Sequence, residues 1–179
     1  VNEIKERIIR AGEGRDILIV ELGGTTGDIE GLPFLETIRQ MKHEFSKSRV
    51  MNIHVTLLPY IKAAGELKTK PTQHSVQELR RIGIAPHMIV LRAEVPVSSE
   101  IKRKIAYSCD VDEDSVIVAA DAPTIYEVPL NFLEQDMLTP ICKHLELDEC
   151  QPKMKHFKVL LAESHPIILP EQSKPIKVL

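Results

Sequence analysis

Short, largely apolar runs alternate with amphipathic segments along the chain. The apolar runs are typical of strands buried in a sheet and cover residues 17–20, 50–58, 88–91 and 115–120. The segments between them carry apolar residues three or four positions apart, as one face of a helix does. This alternation predicts right-handed crossovers and an α/β fold with a mostly parallel sheet flanked by helices.

Capping residues, prolines and glycines mark the ends of the predicted helices. Such signals place helix starts at Asn2, at Pro33, at Pro71 and after Ser98 or Ser99. Two shorter helices are predicted over residues 130–137 and 141–147, the second capped by Thr139. Residues 61–70 are predicted to form a loop. Residues 149–179 are rich in proline and predict a linker.

Composition narrows the class of protein. The chain has 179 residues, of which 43% are hydrophobic, enough for one domain with a real core. A net charge of −3 argues against general nucleic-acid binding. No apolar run approaches the roughly 20 residues of a membrane span, and no signal peptide is recognisable, so the cytoplasm is the expected location. The three widely spaced cysteines indicate neither a disulfide framework nor a zinc site.

A glycine-rich segment follows the first predicted strand. Glu21 is the first polar residue after the apolar run, three glycines come next, and Asp28 and Glu30 follow. An acid at the end of a strand beside such a loop suits Mg²⁺ next to a nucleotide phosphate, because Mg²⁺ takes one or two carboxylates and fills its other positions with water and phosphate oxygens. A tight turn with solvated acids would have the same pattern.

A basic segment precedes the third predicted helix. Lys68 and Lys70 flank a threonine just ahead of Pro71, so two ammonium groups, free backbone N–H groups and the helix dipole converge. Thr72 and Gln73 add neutral donors in the first turn. The pattern predicts a binding site for an anion such as a polyphosphate, although an exposed basic turn is the plainer alternative.

Two further segments are candidates for ligand contacts. Lys102, Arg103 and Lys104 form a basic run on one helix, which is commonly a solvated face but could contribute a cation to a triphosphate. Asp121 and Ala122 follow the fourth predicted strand, where a nucleotide base could be bound, or where the chain simply turns.

Three stretches carry a resemblance to a known family. Residues 21–30 (ELGGTTGDIE), 32–36 (LPFLE) and 65–75 (GELKTKPTQHS) resemble the synthetase, or amidoligase, domain of the CTP synthase family, and the resemblance covers residues 1–148. It implies a P-loop NTPase or Rossmann-like amidoligase fold. Members of the family make CTP from UTP: ATP phosphorylates the uracil 4-oxygen, and ammonia released from glutamine then displaces the phosphate.

The resemblance implies a role for each matching position. Glu21 would be a Mg²⁺ ligand. The other positions would bind nucleotides: the feedback inhibitor CTP at Asp28, Ile29 and Glu30; UTP or CTP at Lys68, Thr69, Lys70, Pro71, Thr72, Gln73 and Lys104; and the co-substrate ATP at Ala120, Asp121 and Ala122.

The sequence also departs from the family pattern. No Gly-x-x-x-x-Gly-Lys-Ser/Thr phosphate loop occurs, and no cysteine stands in the nucleophile context of a glutaminase. We therefore expect an interior piece of the enzyme, with residues 1–148 as the C-terminal portion of the amidoligase domain and 149–179 as a linker. The implied partners are the glutaminase domain of the same polypeptide and further subunits, in a homodimer or homotetramer with nucleotide sites near the subunit interfaces.

Two other functions remain open at this point. A related P-loop amidoligase, such as a dethiobiotin or cobyrinic acid synthetase, would share the glutamate after the strand but should lack the Lys-Thr-Lys-Pro-Thr-Gln run. A non-catalytic pyrimidine-nucleotide sensor or assembly module would keep the inhibitor pocket alone.

Overall fold

Helices and strands alternate along most of the chain in the computed structural model, which describes residues 1–148, 152–155 and 157–159. The predicted linker, 149–179, lies almost wholly outside the described residues. The helices are α1 (Asn2–Ala11), α2 (Leu32–Glu44), α3 (Lys70–Arg81), α4 (Ser99–Cys109), α5 (Val128–Glu134) and α6 (Leu138–Leu145). The strands are β1 (Ile53–Leu57), β2 (Tyr60–Ile61), β3 (Glu66–Leu67), β4 (Met88–Ala93) and β5 (Val116–Ala120).

A three-stranded parallel sheet forms the centre, in the order β1-β4-β5. Parallel neighbours need crossover connections, which α3 supplies between β1 and β4 and α4 supplies between β4 and β5. The predicted fold class is confirmed: an α/β arrangement with a parallel sheet flanked by helices.

The core lies on both faces of this sheet. On the face covered by α3 and α4, fully buried side chains such as Ile89 and Leu91 pack with Val76 and Ile105. On the opposite face Met88, Val90 and Ile117 are buried, packed by half-buried side chains that include Phe132 of α5 and Ile141 of α6. Strand β4 is therefore apolar on both faces, as the central strand of a parallel sheet should be.

The prediction of a first strand at residues 17–20 is wrong. Residues 17–20 pair with no strand, and their side chains are exposed, Ile17 by 58% and Ile19 by 89%. An apolar run becomes a strand only where another strand lies beside it to pair its N–H and C=O groups, and the described residues place none there. The parallel sheet consequently has three strands instead of the expected four.

The predicted burial of the second strand is also corrected. In β1 the side chains of Ile53, Val55 and Leu57 are 42%, 59% and 62% exposed, while His54 and Thr56 on the other face are half-buried. Strand β1 lies at the edge of the sheet, and α5 and α6 pack over its neighbours. The antiparallel hairpin of β2 and β3 spans residues 60–67 and so occupies most of the segment 61–70 that was predicted as a loop.

Helix boundaries shift by a few residues from those predicted. Helix α3 begins at Lys70, one residue before the predicted Pro71, and α5 and α6 begin at Val128 and Leu138. Thr139 therefore lies inside the first turn of α6 instead of capping it. Ser98 does cap α4, since its Oγ accepts a hydrogen bond from the Ile101 N–H at 3.4 Å. Within the described residues no helix is long and apolar enough to cross a membrane.

Two histidines connect α6 to the sheet. The rings of His87 and His144 lie 4.1 Å apart between centroids. His87 Nδ1 accepts a hydrogen bond from the Asn52 N–H at 2.8 Å, and His144 Nε2 donates to the Val50 carbonyl at 3.0 Å. Burial, the nearby His144 and Lys42 lower the pKa of His87 to about 4. A proton on Nδ1 would oppose the Asn52 N–H, so His87 is neutral in the folded protein at neutral pH.

We predict that the free energy of unfolding falls as the pH falls from 6.5 to 4. In this window the unfolded chain protonates His87 and the folded chain does not, so the stabilisation present above pH 6.5 is lost progressively. His54, whose pKa burial also lowers, adds to the loss. Urea unfolding at pH 7.5, 5.5 and 4.5 should show a smaller loss for His87→Asn, whose amide oxygen can accept the same bond. The exposed His74→Asn is the control; identical pH profiles for His87→Asn and wild type would contradict the prediction.

Candidate functional site

The first turn of α3 lies at the carboxyl end of β1. The Thr72 hydroxyl donates to the carbonyl of Leu57, the last residue of β1, at 3.3 Å. Next to this bond, the Leu58 N–H donates to the Arg92 carbonyl of β4 at 2.8 Å. These bonds fix the helix terminus at the edge of the sheet where the strands of an open parallel sheet present their ligand sites.

Thr72 and Gln73 belong to the framework of this terminus. Thr72 is fully buried and Gln73 is 8% exposed. The Gln73 amide donates to the hydroxyls of Thr69 and of Ser108 on α4, both at 3.3 Å, so that it joins two helices. These side-chain donors are therefore already engaged inside the protein. Direct contact of Thr72 and Gln73 with a nucleotide stays a prediction. Buried Thr69 and exposed Pro71 complete the turn.

Lysines gather around the same terminus. Lys68, Lys70 and Lys104 are all exposed, and Lys68 forms an ion pair with Glu66 of β3. The hydrogen bond from Lys68, the charge of Lys68 and then the charge of Lys104 lower the pKa of the Glu66 carboxyl. The charge of Lys104 on α4 therefore acts on the carboxylate of the hairpin. We call Glu66, Lys68, Lys70 and Lys104 the lysine cluster.

The position of Lys104 follows from helix geometry. Lys104 and Ser108 are four residues apart on α4 and so share one face. Ser108 contacts Gln73 in the first turn of α3, which directs the same face of α4 towards the lysine cluster. Lys102 and Arg103 occupy other positions around the helix, and Arg103 pairs with Glu113 at 3.5 Å.

The lysine cluster has an excess of positive charge at an unfavourable place. Lys68 precedes α3 and Lys70 is its first residue, where the helix dipole repels cations. The cluster holds three lysines and one carboxylate, all exposed, and only Lys68 pairs with Glu66. This arrangement can bind a multiply charged anion through charge-assisted hydrogen bonds.

The glycine-rich segment forms a separate, solvent-exposed loop. The Asp28 carboxylate accepts a hydrogen bond from the Thr25 N–H at 2.9 Å, and Gly24, at φ +88°, allows the turn. Ile29 is 83% exposed, and Glu30 is exposed in the short 3₁₀ helix Ile29–Gly31 that leads into α2. The hydrogen bonds and ion pairs of the described residues do not join this loop to the lysine cluster.

Glu21 lies in this exposed loop and not at the end of a buried strand. Desolvation therefore provides no reason for its carboxylate to need a cation. Within the described residues Glu21 makes no hydrogen bond or ion pair, and no group of three or more His, Cys, Asp or Glu side chains could enclose a metal ion. One free carboxylate nevertheless suits Mg²⁺, which can draw its remaining ligands from water and a nucleotide.

The third predicted contact region lies at the end of β5. The Asp121 N–H donates to the Ala93 carbonyl at the end of β4, 3.1 Å away. Ala120 and Ala122 are half-buried and Asp121 is exposed. Because β1, β4 and β5 are parallel, this turn lies on the same edge of the sheet as the first turn of α3.

Sequence reasoning missed two residues of the site. Glu66 lies in the segment predicted as a loop. Its spacing of two residues from Lys68 could have indicated an ion pair, because side chains two residues apart in an extended chain lie on the same side. Ser108 could have been found from its spacing of four residues from Lys104 on a predicted helix.

Comparison with known proteins identifies the family. A sequence model of the family described as "CTP synthase N-terminus" matches residues 1–147. The chain belongs to the CTP synthase N-terminus family. The expected resemblance is confirmed, and it covers nearly all of the described residues.

Individual CTP synthases are similar to the chain over almost its whole length. The CTP synthase of Wolinella succinogenes is 61% identical over 163 residues, which are 91% of this chain and 30% of that protein. Those of Helicobacter hepaticus and Nautilia profundicola are 61% and 59% identical over 97% and 98% of this chain. The chain spans about a third of the length of these relatives.

We predict that Gln73→Leu lowers the free energy of unfolding by about 1 kcal/mol. The leucine side chain is of similar size but cannot make the hydrogen bonds that the Gln73 amide donates to Thr69 and to Ser108. Gln77→Leu, at an exposed position one turn later on α3, is the matched control and should change stability little. Equal unfolding midpoints for the two variants in urea would show that the amide bridge contributes nothing.

Proposed function

We propose that this chain carries the pyrimidine-nucleotide site of a CTP synthase, which aminates UTP to CTP with ATP and glutamine-derived ammonia. The observation that carries the proposal is the lysine cluster at the start of α3, in a chain of the CTP synthase N-terminus family. Hydrogen bonds of Thr72 and Gln73 hold this helix start in place. The ligand it fits best is the triphosphate that UTP and CTP share.

Binding would begin with charge. Lys68, Lys70 and Lys104 would donate to phosphate oxygens, and the N-terminus of α3 would add its dipole and a backbone N–H. The triphosphate in turn removes the repulsion between the lysines and the helix terminus. Thr72 and Gln73 contribute by holding this terminus in place, so that little reorganisation is needed when the nucleotide arrives.

The exposed loop would provide the remaining contacts. Asp28, Ile29 and Glu30 would form the pocket for the feedback inhibitor CTP, with hydrogen-bond acceptors and an exposed apolar side chain for the ribose or base. Ala120, Asp121 and Ala122 would lie against the adenosine of ATP at the same edge of the sheet.

Glu21 would hold Mg²⁺ together with ATP phosphate oxygens and water. Bound there, Mg²⁺ would neutralise charge during phosphoryl transfer to the uracil 4-oxygen. Exposure suits the carboxylate for this role, because its oxygens are accessible to a ligand from solvent.

The proposal includes partners outside these contacts. Ammonia would come from a glutaminase domain of the same polypeptide. The subunits would assemble as a homodimer or homotetramer in the cytoplasm, with nucleotide sites near the subunit interfaces.

We predict that Lys68→Ala and Lys70→Ala each weaken UTP and CTP binding together, by about tenfold. Both nucleotides present the same triphosphate and lose the same charge-assisted hydrogen bond. Lys62→Ala is the matched control, since Lys62 is an exposed lysine in the turn of the same hairpin. Calorimetric titration of the full-length protein is the measurement, and unchanged affinities for both nucleotides would remove these lysines from the site.

We predict that Glu21→Gln abolishes ATP-dependent phosphorylation of UTP in the full-length protein and spares glutamine hydrolysis. The amide keeps the shape of the side chain but removes the charge that holds the metal. The two half-reactions are assayed separately, with exposed Glu13→Gln as the control. Normal UTP phosphorylation by Glu21→Gln would contradict the metal assignment. A wild-type protein that binds UTP without phosphorylating it would instead identify a nucleotide sensor.

A further inference from the structure

Glu66 is an acid inside a site for a polyanion. Its carboxylate pairs with Lys68, and the charge of Lys104 also acts on it. A triphosphate bound by these lysines would be repelled by the same carboxylate. Glu66 therefore opposes the ligand that its neighbouring lysines would attract.

The backbone around this ion pair is fixed. Glu66 pairs with Ile61 across the hairpin, and the Gly65 N–H donates to the Ile61 carbonyl at 2.9 Å. The Lys68 N–H donates to the Pro59 carbonyl, also at 2.9 Å. The hairpin therefore holds both residues in register beside the start of α3.

The side chains, in contrast, can rearrange. Those of Glu66 and Lys68 are 53% and 47% exposed. Rotation about their side-chain bonds can separate the ammonium from the carboxylate without breaking a backbone hydrogen bond. An exposed pair of this kind is weak, so a ligand of higher charge can displace it.

We propose that Glu66 is an internal counter-anion of the triphosphate site, whose carboxylate occupies Lys68 until a nucleotide phosphate displaces it. The inference rests on the proposed function of the lysine cluster. Glu66 neutralises part of the positive charge of the lysine cluster, and each phosphorylated ligand must break the ion pair before it gains Lys68. Glu66 thereby lowers the affinity for UTP and CTP alike, and it leaves nucleosides without phosphate unaffected.

Charge balance supports this direction of the effect. The lowered pKa of Glu66 keeps its carboxylate ionised at neutral pH, so it competes for Lys68 under the conditions in which the nucleotide binds. If Glu66 instead ligated a metal ion on the triphosphate, its removal would weaken binding. The two roles therefore predict opposite signs.

The test is titration of the full-length protein with UTP and with uridine. Glu66→Gln should bind UTP about two- to fivefold more tightly than wild type, the range expected for the loss of an exposed ion pair, and should bind uridine equally well. The gain should shrink in high salt. It should also shrink in a Lys68→Ala background, because the displaced partner is then absent.

Glu78→Gln, which removes an exposed ion pair with Arg81 on α3, is the matched control for the change in net charge and should leave UTP affinity unchanged.

The outcomes distinguish a failure of the counter-anion role of Glu66 from a failure of the proposed nucleotide site. If Lys68→Ala weakens UTP binding but Glu66→Gln leaves it unchanged or weakens it, the counter-anion role is overturned and the nucleotide site stands. If Lys68→Ala binds UTP as wild type does, the proposed site itself fails. Equal tightening by Glu66→Gln and Glu78→Gln would show a general charge effect and would also overturn the role of Glu66.

Discussion

The buried hydrogen bonds of the first turn of α3 are the constraint on which the site depends. Thr72 ties the turn to the end of β1, and Gln73 ties it to Ser108 of α4. Thr72 and Gln73 are buried, so leaving their donors unsatisfied would cost more than the bond contributes in solvent. The same two side chains thus join the sheet, the first crossover helix and the second, and they fix the point around which the lysines gather.

The lysines around the start of α3 give this part of the fold its affinity for anions. Lysines placed before a helix are unfavourable with respect to the helix dipole, and a bound polyanion relieves this. Lys104 reaches the cluster from another helix because α3 and α4 pack side by side. The framework is buried and neutral, whereas the charged groups are exposed and free to change partners, a division suited to a ligand that must bind and leave.

The elements that could be predicted from sequence are those whose signal is local. Strand β4 has a continuous apolar run, and α4 has a capping serine and helical spacing, so both appear where expected. Residues 17–20 have an equally apolar run, but pairing is a property of distant segments and the run alone cannot show it. The hairpin was missed because strands of two residues, Tyr60–Ile61 and Glu66–Leu67, are too short for any periodicity. In the site, the basic segment predicted an anion-binding site. The structural role of Gln73 could not be predicted, because it depends on Ser108, which is 35 residues away in the sequence.

The most direct measurement is a cryo-electron microscopy structure of the full-length protein with bound UTP. We expect density for the triphosphate at the start of α3, within hydrogen-bond distance of the ammonium groups of Lys68 and Lys104. The Thr72 and Gln73 side chains should keep their hydrogen bonds within the protein. A triphosphate bound elsewhere, in contact with neither lysine, would contradict the proposed site.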